Sequence, residues 1–306
     1  MKLKKFAALA LAAIMTFSLV ACGGASIDGE GDKAAATEEG GNGSVGLAIS
    51  TLSNPFFVTL KEGAEAKAEE LGVTLYVTDA SDDAAVQTNN IEDLISKGIS
   101  VLIVNPVDSD AIAPAVETAI SKGIKVIAVD RVVNGVDIDC SIASDNIMGA
   151  ELATEYIVEL VGEGAKVAEL QGVPGASATI DRGAGFHNIA DAKLDVVASQ
   201  TANFDRIEGL SVMENILQGN ADIVAVFAHN DEMALGAVEA CAGKDIIIVG
   251  FDATDDALAA VEAGTMAATV AQQPDVMGAT AVETAMKLIA GETVEKTLPV
   301  EVTLVK

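Results

Sequence analysis

VGLAISTLSNPFFVTLKEGAEAKAEELGVTLYVTD, residues 45–79, is the stretch from which the fold is read. It begins with an apolar run, Val45 to Ile49, and ends with a second, Val73 to Asp79. Between them lies an Ala-, Glu- and Lys-rich segment of helical period. Asn54-Pro55 marks the start of that helix: asparagine caps free N–H groups, and proline fits the first helical position. Two apolar strands joined through a helix are the unit of a parallel sheet. The stretch also poses a chemical question. Phe56 and Phe57 are adjacent, and neighbours on a helix point about 100° apart, so one core-facing stripe does not hold both rings.

The alternation continues along the chain. Short Val/Ile-rich runs occur at 45–50, 73–79, 100–105, 125–130, 166–171, 195–200, 223–230, 246–252 and 266–272, followed by PVEVTLV at 299–305. Continuous apolar strands separated by amphipathic helices predict an α/β fold whose parallel strands are covered on both faces. Nine strands exceed what one compact sheet of this length needs, which predicts two doubly wound, Rossmann-like sheets.

Ligands of such sheets bind beyond the carboxyl ends of the strands. Here the runs end in Ser50-Thr51 before SNPFF, then in Asp79, Asn105, Asp130-Arg131, Gln171, His229-Asn230, Phe251-Asp252 and Gln272. Any one polar residue there serves equally as a helix cap. Together they mix amide, acid, guanidinium and aromatic groups drawn from both halves of the chain. Aromatics make up only 3% of the sequence, and Phe56, Phe57, Phe204 and Phe251 fall in or beside these loops. Phe227 reads as core and Phe186 as helical. Rings spent on turns suit the apolar face of a sugar, with the polar tips on its hydroxyls.

The N-terminus predicts export. MKLKK is a basic n-region, and residues 6–21 are an apolar h-region of signal-peptide length. Leu19-Val20-Ala21-Cys22 resembles a bacterial lipobox. The expectation is a lipoprotein signal peptide over 1–21, lipidation of Cys22, a flexible Gly- and acid-rich stalk over 22–43, and a chain anchored to the outer face of the cell membrane. The net charge is −28, and −31 without Lys2, Lys4 and Lys5. Such a chain repels phosphate backbones, which excludes nucleic acid as a partner. The spacing of Cys140 and Cys241 marks neither a metal site nor a disulfide framework, so both read as buried free thiols. The acidic run DATDD (252–256) lacks EF-hand spacing and reads as a helix-start cluster, so no metal is expected.

An enzyme is disfavoured. There are two histidines, His187 and His229, and no G-x-S-x-G, HExxH, Walker A or post-strand GxGxxG pattern. Asp130 and Asp252 resemble a glycosidase pair in type, but their neighbours suit static recognition of hydroxyls.

Taken in order, STLSNPFFVTLKEGAEAKAEELG, IVNPVDSDAI, AVDRV, SIASDNIMGA, GAKVAELQG, DRGAGF, ANFDRIEGL, VFAHNDEMALGA, VGFDAT and ATVAQQPDVMGA resemble the D-ribose-binding proteins of bacterial ABC sugar importers. The likeness runs from about residue 44 to the C-terminus. It implies the type I periplasmic-binding-protein fold, with two lobes joined by a three-strand hinge. The crossings would fall near Ser144-Asp145, Gln272-Gln273 and Glu301-Val302. One lobe would then hold 44–144 with 273–301, and the other 145–272 with 302–306.

The resemblance also implies the sugar contacts: Asn54, Phe56, Phe57, Asn105, Asp130, Arg131, Arg182, Phe204, Asn230, Phe251, Asp252 and Gln272. Phe56, Phe57 and Phe204 would sandwich the sugar ring, and the acids, guanidinium groups and amides would take its hydroxyls. Two positions depart from the family pattern: Ile180 stands where another arginine is frequent, and His229 where glutamine is usual. The implied function is capture of a monosaccharide, D-ribose first, by hinge closure and its delivery to ABC permease subunits by a monomeric binding protein. A binding protein for allose, xylose or galactose, or a sensor feeding a chemoreceptor or kinase, remains open. A repressor core of the same fold would need a basic helix-turn-helix where the lipobox-like segment stands.

Overall fold

A computed structural model describes residues 43–306. The expected signal peptide, the expected lipidation site Cys22 and the expected stalk, up to residue 42, lie outside the described residues. The first apolar run is strand β1 (Val45–Ile49), and Pro55 opens helix α1 (Pro55–Leu71), with Asn54 Oδ1 accepting from Phe56 N at 2.9 Å. The chain continues through β2 (Leu75–Asp79), α2 (Ala84–Ser96), β3 (Val101–Val104), α3 (Ala113–Ser121), β4 (Lys125–Val129), β5 (Cys140–Ser144) and α4 (Asn146–Val161). Next come β6 (Lys166–Gln171), α5 (Ser177–Lys193), β7 (Asp195–Thr201), α6 (Arg206–Gly219), β8 (Ala225–Ala228) and α7 (Asp231–Ala240). The last elements are β9 (Ile247–Asp252), α8 (Asp255–Glu262), β10 (Ala268–Ala271), α9 (Pro274–Ile289), β11 (Thr297–Val300) and β12 (Thr303–Val305).

These strands form two six-stranded sheets, ordered β11-β5-β4-β3-β1-β2 and β12-β10-β9-β8-β6-β7. The second repeats the order of the first strand for strand. All pairings are parallel except β10 with β12, where Thr269 faces Val305. Helices cover both faces of each sheet, as fully apolar strands require. Around the first sheet, Leu47 and Ile49 pack with Leu60 of α1 and Met277 of α9, while Ala48 turns to Ile91 and Leu94 of α2. Around the second, Val226 and Ala228 face Met213 and Met233, while Phe227 turns to Phe186, whose ring stacks on it at 5.5 Å.

Two strands differ from the sequence expectation. β5 was not anticipated: CSIAS alternates buried with half-buried residues and has small polar side chains, so it lacks the continuous apolar run of its neighbours. PVEVTLV does not form one strand. It breaks at Glu301-Val302, its first part pairing β5 and its second β10. The chain therefore passes between the sheets three times: after β5, after β10 and between β11 and β12. Gln273 Nε2 donates to Glu301 O at 3.3 Å and ties two of these crossovers together. Among the described residues no helix is long and apolar enough to cross a membrane.

Candidate functional site

The carboxyl ends of the two sheets face each other across a narrow cavity. From the first sheet come Asn54, Phe56 and Phe57 at the start of α1, and Asp130 and Arg131 beyond β4. From the second come Arg182 on α5, Phe204 before α6, Asn230 beyond β8, Asp252 ending β9 and Gln272 beyond β10. The structure thus gathers ten of the twelve sequence candidates around one space.

The cavity is charge-balanced. Asp130, Arg131, Arg182 and Asp252 are 4%, 3%, 3% and 6% exposed, two acids against two guanidinium groups. Burial pushes both carboxyls up from their ordinary range; the guanidinium groups of Arg131 and Arg182 oppose that rise at Asp130, and Arg182 opposes it at Asp252. Burial likewise lowers the two arginines, with the acids opposing it. Both guanidinium groups are held in place by hydrogen bonds to neighbouring groups. Arg131 Nη1 donates to Pro106 O at 2.9 Å, and its Nε lies 3.7 Å from Asp130 Oδ2. Arg182 Nε donates to Asn146 Oδ1 at 2.8 Å, its Nη1 donates to His229 O, and Nη1 lies 3.5 Å from Asp252 Oδ1. Gln272 Nε2 donates to Asp252 Oδ1 at 2.8 Å. Of the five buried side-chain polar atoms without a hydrogen bond among the described residues, two belong to residues that line the cavity: Arg131 Nε and Gln272 Oε1.

The rings answer the question raised by Phe56-Phe57. Both are buried and meet edge to face at 5.2 Å and 90°, because α1 begins where the core meets the cavity. Phe57 faces the Arg131 guanidinium at 5.1 Å. Phe204, from the other sheet, lies 5.5 Å from Arg131 and 5.9 Å from Arg182. Its placement depends on Gly172, where a Cβ would stand 2.0 Å from the ring. Backbone strain collects here too. Asp130, Phe204 and Asp252 have φ of 64°, 60° and 125°, a region that costs a non-glycine residue about 1–3 kcal/mol and clusters at functional sites.

Two candidates do not line the cavity. Asn105 is fully buried behind it: its Oδ1 accepts from Ser50 N and Oγ at 3.2 and 2.7 Å. Its Nδ2 donates to Val129 O at 3.2 Å and to Asp130 Oδ2 at 3.1 Å, so it positions the carboxylate. Phe251 is also fully buried and lies under the Arg182 guanidinium at 3.8 Å, a platform and not a wall. Of the remaining strand ends, Asp79 accepts from Ser81 N, and Gln171 donates to Glu169. His229 Nε2 sits 2.9 Å from Glu169 Oε1, both fully buried. Ala178, in the first turn of α5, does line the cavity, and Asn146 holds Arg182. Neither was found from sequence, since alanine carries no polar signal and Asn146 reads as an ordinary helix start.

A family profile described as a periplasmic binding protein domain matches residues 45–293. The chain is 53% identical over 256 residues to the ribose import binding protein of Bacillus subtilis (strain 168), covering 83% of this chain and 84% of that one. It is 49% identical over 265 residues to the ribose import binding protein of Escherichia coli (strain K12), covering 85% and 90%. Among solved structures, the Caulobacter myo-inositol binding protein with bound myo-inositol superposes with a TM-score of 0.83 at 33% identity, covering 87% of this chain and 93% of that one. An Actinobacillus succinogenes ABC transporter periplasmic solute binding protein with bound D-allose gives 0.80 at 31%, covering 86% and 97%. With its two matching sheets, its three crossovers and this match over most of its length, the chain belongs to the periplasmic binding protein family.

Proposed function

We propose that this protein is the extracytoplasmic binding component of an ABC sugar importer and that its ligand is D-ribose. The observation that carries the reading is a small cavity with rings from both sheets and a charge-balanced set of acids, guanidinium groups and amides. A neutral polyol suits it better than an anion or cation, which would add an uncompensated charge to a balanced buried set. Asp130 and Asp252 accept from hydroxyls, Arg131 and Arg182 donate, and Asn54, Asn230 and Gln272 complete the ring of partners. Phe56 and Phe57 on one side and Phe204 on the other take the apolar faces. The unpaired Arg131 Nε and Gln272 Oε1 suit a guest that both donates and accepts.

The two sheets with their helices act as lobes, 44–144 with 273–301 and 145–272 with 302–306, that hinge at the three crossovers. The ligand shifts the open–closed balance because only the closed form brings both half-sites to it. A sugar has about ten heavy atoms, and a ceiling near 1.5 kcal/mol per atom permits micromolar binding or tighter, about −8 kcal/mol. The chain works as a monomer, and lipid on Cys22 tethers it to the outer face of the cell membrane beside its permease. The relatives named for ribose support the pentose. The bound myo-inositol and D-allose of structural neighbours favour, as a second reading, a related sugar of similar size.

A thermal-shift panel of monosaccharides tests the ligand. D-ribose at about 100 times its Kd stabilises the protein by about 2.7 kcal/mol. No shift with ribose and a clear one with another monosaccharide would overturn the choice of sugar. Mass spectrometry of the exported chain tests the anchor: a diacylglycerol adduct on Cys22 is expected, and an unmodified N-terminus contradicts it.

A further inference from the structure

Outside the three crossovers, every hydrogen bond joining the two lobes among the described residues lies at one place. Ser109 N donates to Gly175 O at 3.0 Å, Ser177 N donates to Ser109 Oγ at 3.2 Å, and Val132 N donates to Ser177 Oγ at 3.0 Å. Ser109 and Val132 belong to the first lobe, in the loops after β3 and β4. Gly175 and Ser177 belong to the second, before α5 and at its first residue. Ser109 is fully buried and Ser177 is 6% exposed. None of the four lines the cavity, yet Val132 follows Arg131 and Ser177 precedes Ala178.

Gly175 is what lets these loops meet. Its φ is 86°, and a Cβ there would stand 2.2 Å from Asp108 Oδ2 of the opposite lobe. That carboxylate is not free to swing aside, since its Oδ1 accepts from Asp110 N at 2.9 Å and Ala111 N at 2.7 Å.

We propose that Ser109 and Ser177 form a clasp that stabilises the closed form with or without ligand, and so set the affinity for every ligand without touching any. The inference rests on the hinge-closing, sugar-binding reading above. Opening the lobes hands these groups to water, so the clasp contributes to the closed form alone. The apparent Kd equals the intrinsic value divided by the closed fraction, and a smaller closed fraction weakens all sugars alike. Both serines are positioning residues.

The test compares wild type with Ser177→Ala, Ser109→Ala and the hydroxyl-retaining Ser177→Thr. Calorimetry with D-ribose and with a second monosaccharide from the thermal panel reads the Kd, and stopped-flow reads the dissociation rate. Small-angle scattering of the ligand-free protein reads closure. Each alanine variant is expected to raise the Kd for both sugars by the same factor, about five-fold, chiefly through faster dissociation. The ligand-free form becomes more open, its Tm is unchanged, and Ser177→Thr restores wild-type affinity. Unchanged Kd and dissociation rate in both alanine variants, beside a wild type that binds, overturns the clasp. A factor that differs between the two sugars also overturns it, since it would make the serines contact residues. A wild type that binds no monosaccharide overturns the underlying reading instead.

Discussion

Arg131 concentrates the account at the scale of a single residue. It pairs with Asp130, donates to Pro106 O, faces rings from both lobes and keeps one buried N–H free. Replacing it by alanine removes charge-assisted bonds worth about 1.5–3 kcal/mol each, so calorimetry should record a loss of ribose affinity of a hundred-fold or more. Affinity within ten-fold of wild type would remove Arg131 from the site. Phe251 is predicted to behave differently, because it carries Arg182 from behind. Phe251→Ala should lower stability by about 3–5 kcal/mol in urea unfolding and weaken binding as well, and an unchanged urea midpoint would contradict its supporting role.

The two histidines converge on one buried carboxylate and give opposite pH signatures. Burial lowers His187, but the Asp191 carboxylate and then Glu169 more than offset this, and its pKa rises above the ordinary value of 6.5. Its contribution to stability is complete below pH 6.5 and is lost as pH rises through the raised value. His229 is lowered, by burial first, so its contribution is present above pH 6.5 and is lost as pH falls through the depressed value. His187→Gln should therefore remove the decline in urea midpoint above pH 6.5. A decline that persists in the variant would refute the assignment.

At the scale of elements, the strand–loop–helix unit is where sequence is most informative. Continuous apolar runs announced every strand but β5 in outline, with β11 and β12 read as one, and Asn54-Pro55 announced α1, because parallel strands buried on both faces leave a strong local pattern. β5 was not legible, since its pairing with β4 and β11 comes from tertiary context and not from its own CSIAS. The site was legible wherever a polar or aromatic residue ended a strand. Sequence could not separate the layers: Asn105 and Phe251 end strands as Asp130 and Asp252 do, yet they lie one residue deeper. Nor could it reveal Gly172 and Gly278, whose roles exist only in three dimensions. Gly172→Ala should displace Phe204 and weaken sugar binding by at least ten-fold with little change in Tm. At Gly278 of α9 a Cβ would stand 2.0 Å from Leu60 O of α1, backbone that cannot yield cheaply. Gly278→Ala should cost about 1–3 kcal/mol of stability, read from the urea midpoint, by forcing the two helices apart. An unchanged midpoint would show that α1 and α9 have slack.

For the whole molecule, the repeated sheet order matters more than any one contact. Each lobe brings its fourth strand, β4 or β9, to an aspartate held at positive φ, Asp130 or Asp252. Each half-site carries one acid and one arginine, Asp130 with Arg131 and Asp252 with Arg182, and a ring wall on one side only. Together they line a ring-walled space between sheets joined by three crossovers, and on the proposed hinge-closing reading one small uncharged guest that touches both favours closure. Titration calorimetry of the protein with D-ribose tests this most directly. A single site with a micromolar or tighter Kd, lost in Arg131→Ala, is the predicted result. No binding heat from ribose or from any other monosaccharide, in a protein shown to be folded, would contradict it.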